Sequence, residues 1–118
     1  MSFQEAVRSA LIENYANFTG RALRSEFWYF MLAFVIASLV ATAIDVSILR
    51  HTILETIVTL AAVLPTLAVG ARRLHDIDRS GWWQFIQVIP LIGIIVLIYW
   101  FAQPGEPGPN RFGPPLAR

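Results

Sequence analysis

Three stretches of this chain carry no formal charge for long enough to matter to a lipid bilayer, and they limit what it can fold into. They run from Phe27 to Ile44, from Thr56 to Ala71, and from Ser80 to Gly105. A membrane-crossing helix needs about 20 mostly apolar residues to cover a hydrocarbon core of roughly 30 Å. Each run approaches or exceeds that length once its neutral flanks are included. Hydrophobic residues make up 56% of the 118-residue chain and charged residues only 14%, against about 25% charged in an average globular protein. A soluble bundle this small has too much surface to hide such an excess. The expected fold is therefore all-α: one small integral membrane domain with an N-terminal amphipathic helix and three membrane-embedded helices. The number rises to four if the last run is re-entrant.

Taken in order, residues 2–18 place Phe3, Val7, Ala10, Leu11 and Phe18 near one helical face, with Gln4, Glu5, Arg8 and Glu13 opposite. That pattern suits an amphipathic helix lying in the membrane interface, and the acids within it speak against a removable leader. Arg21, Arg24 and Glu26 then precede Phe27-Trp28-Tyr29-Phe30, charge followed by aromatics at the start of a span. A first crossing over 25–49 follows, with Ala33, Ala37 and Ala41 at intervals of four as a stripe that lets another helix approach. A second crossing covers 53–72, interrupted by Pro65, which neighbours must compensate. Residues 73–80 form a polar cytoplasmic loop. A third crossing covers 81–103, with Trp82, Trp83, Tyr99 and Trp100 at its ends as an aromatic belt. Pro90 and Gly93 fall in its middle, so a re-entrant pair of half-helices is the alternative. The tail, 104–118, is rich in glycine and proline and should form turns, with disorder expected over its last five residues.

Sidedness follows from arginine counts, since all nine basic residues are arginine. Arg8, Arg21, Arg24, Arg72, Arg73 and Arg79 fall on one side. Arg50 falls on the other, joined by Arg111 and Arg118 if the third run crosses once. The positive-inside rule then puts the amino end and the 72–79 segment in the cytoplasm and the tail outside. A net charge of +1 gives no case for nucleic acid, and the absence of cysteine removes disulfides and thiolate metal sites.

Four polar motifs interrupt the apolar sequence: Gly20-Arg21-Ala22-Leu23-Arg24-Ser25-Glu26-Phe27-Trp28, Arg72-Arg73-Leu74-His75-Asp76, Arg79-Ser80-Gly81-Trp82-Trp83, and Gly105 with Gly108-Pro109-Asn110-Arg111-Phe112-Gly113. In order and spacing, from about Tyr15 to Pro115, they resemble the bacterial inner-membrane family of unknown function catalogued as DUF805. The resemblance implies a small integral membrane protein of bacteria and no particular reaction, substrate or partner; the three runs add the expectation that it is multi-pass in the inner membrane. Ile77-Asp78 departs from the threonine- or glycine-bearing turn usual in that family, which makes the segment less basic.

Arg21, Arg24, Glu26, Arg72, Arg73, His75, Asp76 and Arg79 form the candidate polar cluster. On a continued helix Arg72, His75 and Arg79 share a face, and Asp76 lies four residues from Arg72 and three from Arg73. Glu26 could pair across to Arg72 or Arg73. One reading is structural, an ion-pair network fixing the angle between helices. The other makes the arginines a clamp for lipid phosphate or an anionic ligand. A catalytic His75–Asp76 pair has no placed nucleophile, and two histidines on opposite sides make no metal site. Ser80 suits an N-cap, Trp28, Trp82, Trp83 and Trp100 suit the interface, and Asn110 and Arg111 form a separate tail motif. No enzyme activity, cofactor or metal is expected. The expected partners are membrane lipids, with a homo-oligomer or another membrane protein possible. An interaction or scaffold subunit working through the alanine stripe or the aromatic ends leads; ligand binding or transport by an oligomer is the alternative.

Overall fold

The computed structural model describes residues 1–116 and is all-α; Arg118, counted above with the tail, lies outside the described residues. Helix α1, Phe3–Arg8, continues through a π-helical turn, Ser9–Glu13. Ser2 starts it with a capping box: its hydroxyl accepts from Glu5 N–H while the Glu5 carboxylate accepts from Ser2 N–H. The face α1 turns to the protein is made of Ala6, Ser9 and Ala10, leaving Phe3, Leu11 and Ile12 exposed. Bulky apolar residues pointing away from the fold are what an interfacial helix presents to lipid.

Helix α2, Arg24–Ile44, is extended by a π-helical segment, Asp45–Leu49, and helix α3 runs Leu54–Asp76. These two are long and apolar enough to cross a membrane. Their antiparallel register is tied at both ends. At one end Glu26 meets Arg72 at 2.8 Å. At the other the buried Asp45 carboxylate accepts from Leu54 and Glu55 N–H at 3.0 and 2.9 Å, occupying donors the start of α3 would leave open. From Glu26 to Asp45 the rise is about 28 Å at 1.5 Å per residue, close to the hydrocarbon thickness. Ala33 and Ala37 line a groove shared with Val58, Ala61 and Ala62 of α3, and Ala41 is buried. The alanine stripe thus runs beside the chain's own second span, with Ala41 buried and Ala37 exposed.

Two expectations need correction. Arg73 to Asp76 are not loop: α3 continues to Asp76, and only residues 77–80 form the turn. The third run is not one crossing over 81–103. It is a hairpin of a 3-10 helix, Gly81–Val88, a tight turn, and helix α4, Ile92–Ala102. Leu91 reverses the chain with φ of 65°. Gly93 packs so closely on the Ile86 carbonyl that any Cβ would collide with it. At the open end Trp83 and Trp100 touch edge-on, 5.7 Å between ring centroids. Eight residues at about 2 Å give the first arm roughly 16 Å, and eleven at 1.5 Å give the second about the same. Each arm is about half as long as the roughly 30 Å hydrocarbon core is thick. Buried Gln84 ties the first arm to α3: it lies over Gly70 and donates to the Leu67 carbonyl at 3.0 Å. The tail therefore returns to the end of the molecule that carries Arg21 and Arg72, not to the end that a single crossing over 81–103 would reach.

Candidate functional site: a buried arginine–aspartate knot

Asp76 is the last residue of α3, and its side chain is wholly buried. Arg21 Nε reaches one carboxylate oxygen at 2.8 Å, and Arg73 Nη1, one turn earlier on α3, reaches the other at 2.6 Å. Each guanidinium then spends its remaining donors on backbone. Arg73 donates to the carbonyls of Phe101 (3.0 Å) and Ala22 (3.2 Å) and to that of Gln103. Arg21 donates to Glu106 at 2.5 Å, Gly108 at 3.0 Å and Gly113 at 3.3 Å. Exposed Arg24 donates to the Ala102 carbonyl at 3.3 Å. Arg73 and Arg24 thus occupy carbonyls that the last turn of α4 leaves open, where a cation is electrostatically favoured. Arg21 holds the tail, and Glu106 N–H completes the join by donating to Asp76 O at 2.8 Å.

Arg72 points the other way. Its Nη2 lies 2.8 Å from Glu26 Oε2, both side chains almost fully buried, in a contact pair whose atoms are not aligned as a hydrogen bond. Its Nε donates to the Asn17 carbonyl at 3.1 Å, and its own carbonyl accepts from Ala22 N–H at 3.0 Å. His75 sets Nδ1 2.8 Å from the Gly20 carbonyl, so Nδ1 carries a proton. The ring stacks on Phe112, 4.0 Å between centroids and 4° from parallel. Asn110 donates to the His75 carbonyl at 2.9 Å and closes a small turn with Gly113. His75 and Asp76 therefore face different partners. Among the described residues no three His, Cys, Asp or Glu side chains gather as metal ligands.

The order of these polar motifs has a counterpart among known proteins. A family model described as "Protein of unknown function (DUF805)" matches residues 15–114. The chain belongs to the DUF805 family. Inner membrane protein YhaH of Escherichia coli K12 is 42% identical over 109 residues, covering 88% of this chain and 90% of that protein. Inner membrane protein YhaI of the same strain is 40% identical over 105 residues, covering 88% of this chain and 89% of that protein. No solved structure matches. This DUF805 chain is a membrane protein with transmembrane helices.

Of the residues the sequence singled out, Arg21, Glu26, Arg72, Arg73, His75, Asp76 and Asn110 come together, with Arg24 at the rim. Arg79 does not share the α3 face with Arg72 and His75, because the helix has ended; it lies 4.3 Å over the Trp100 ring. Arg111 pairs with Asp78 at 3.1 Å in the open. Trp28, Trp82 and Trp83 are exposed and Trp100 is half-buried. Ser80 accepts from Trp82 N–H at 3.3 Å. Beside the knot lies a largely apolar cleft of about 540 Å³, bounded by Phe18, Leu67, His75, Trp82, Phe85 and Phe112. Sequence reasoning missed Ala22, Glu106 and the carbonyls of α4, since backbone partners leave no mark in side-chain chemistry. Asp45 did carry a signal, an acid in the interval before a helix start; Gln84 carried none, since only the fold sets it against Gly70.

Proposed function

We propose that this DUF805 protein is an interaction subunit of the bacterial inner membrane, crossing it twice and presenting the outer ridge of α2 to another transmembrane helix. The observation that carries this reading is the bareness of α2. Only 11% of its most apolar window is buried, against 33% for α3. Leu32, Ile36 and Leu39, 48%, 48% and 65% exposed, follow one another at the three- and four-residue spacing of a helix-packing seam. The arginine knot supports the same reading by elimination. Arg21 and Arg73 are turned onto Asp76 and the chain's own carbonyls, so the cluster works as an internal staple that holds the hairpin and tail against the two spans. A phosphate clamp would instead leave donors pointing outward.

The test uses a photo-crosslinking residue at position 39 in intact membranes, compared with position 60, where Leu60 is equally lipid-exposed but on α3. Position 39 should give a discrete adduct, at twice the chain mass for a second copy or at another defined mass for a different protein, and position 60 should give none. Adducts at neither position, or the same smear at both, would sink the proposal.

A further inference from the structure

We propose that Glu55, with the hydroxyls of Ser38, Thr42 and Thr59, forms a site for a monovalent metal cation, sodium, inside the membrane. The site shares no residue with the arginine knot or the α2 ridge and stands independently of the proposed function.

Depth comes first. Ser38 lies twelve residues from Glu26 and seven from Asp45 along α2, about 18 Å and about 10 Å from the two polar ties at 1.5 Å per residue. The Glu55 side chain does not stay at the end of α3 where its backbone begins. It runs back toward Ser38, whose Oγ lies 2.8 and 2.7 Å from its two oxygens. The carboxylate therefore sits within the stretch that the hydrocarbon core must cover. A charged group at that depth is costly, and in membrane proteins such groups mark ion and proton sites.

Charge comes second. Thr59 Oγ1 is 3.1 Å from one carboxylate oxygen and Thr42 Oγ1 3.4 Å from the other. Among the described residues Glu55 is in no ion pair. The start of α3 contributes roughly half a positive charge, but Asp45 already sits on its Leu54 and Glu55 N–H groups. Two carboxylates thus share one helix start, and a full unit of negative charge is left without a cation. Each hydroxyl donates one proton but keeps acceptor lone pairs, so by rotating it can turn from stabilising the bare anion to coordinating a cation. An all-oxygen set of one carboxylate and three hydroxyls suits a hard cation. A single charge is balanced by it; a divalent ion would leave an uncompensated positive charge in a low-dielectric place. Thr42 and Thr59 are exposed on the outside of the helix pair, which leaves the site open to exchange from the α2–α3 loop.

The experiment labels the full chain in detergent micelles with a hydrophobic carbodiimide, which attacks protonated carboxyl groups, and reads modification at Glu55 by peptide mass spectrometry. Glu55→Gln supplies the blank. With a sodium site, sodium chloride but not choline chloride protects at fixed pH, about tenfold at ten times the dissociation constant by simple competition. The double variant Thr42→Val/Thr59→Val then keeps the labelling and loses the protection. Sodium protection that the double variant loses supports the proposal. Labelling that ignores sodium, no labelling of a folded chain in sodium-free buffer, or equal reaction with a water-soluble carbodiimide would overturn it.

Discussion

Asp76 holds two guanidinium groups where no water competes for them, and its replacement should be the most damaging single change in the polar knot. Removing one partner from a buried ion pair leaves charge uncompensated and costs about 3–5 kcal/mol; here Asp76→Asn would strand both Arg21 and Arg73. Asp78 is the natural comparison, since its pair with Arg111 is exposed on both sides, and such pairs contribute about 0–1 kcal/mol. Thermal melts of Asp76→Asn and Asp78→Asn in the same detergent should show a large drop for the first and almost none for the second; equal melting temperatures would mean the knot bears no load. Part of this geometry was readable beforehand. The three-residue spacing of Arg73 and Asp76 predicts their contact, and Glu26 was expected to reach an arginine of that segment. The four-residue spacing of Arg72 and Asp76 misled, because Arg72 turns to Glu26 instead. Arg21 arrives from 55 positions away, and local spacing holds no information about that.

The hairpin of residues 81–102 shows how an element can look like a span and be something else. Its apolar composition and terminal tryptophans are those of one crossing, and length alone cannot separate one long helix from two short arms. Pro90 and Gly93 signalled a break. Partners outside the segment hold the reversed form: Gly70 yields room for Gln84, and Arg73 and Arg24 donate to the carbonyls at the end of α4. Gly93 is where this packing is tightest. Gly93→Leu forces a side chain into the Ile86 backbone and should destabilise by about 1–3 kcal/mol or more, while Gly108→Leu, with nothing within 4 Å of a new Cβ, should leave the melting temperature nearly unchanged. A Gly93→Leu protein as stable as the parent would mean the arms do not pack as described.

At the scale of the whole molecule the hairpin changes the charge map, and with it the orientation argument. With the tail returned, Arg111 joins Arg8, Arg21, Arg24, Arg72, Arg73 and Arg79 at one end of the two spans, and among the described residues Arg50 is the one arginine at the other. The positive-inside rule, which gave a modest majority when the tail was placed outside, then assigns the knot, the tail and α1 to the cytoplasm far more decisively. On that orientation the short turn after Leu49 is expected on the far side. The chain has no cysteine of its own, so single introduced thiols report cleanly. A membrane-impermeant maleimide applied to spheroplasts should label Thr52→Cys and spare both Asp78→Cys and Pro107→Cys, and all three should react once the membrane is opened. Position 107 carries the discrimination, since a third crossing would make it react with position 52. Labelling of 78 without 52 would instead invert the whole molecule. Because Arg21 ties Asp76 to the carbonyls of Glu106 and Gly108, positions 78 and 107 must behave alike in any folded state that keeps the knot.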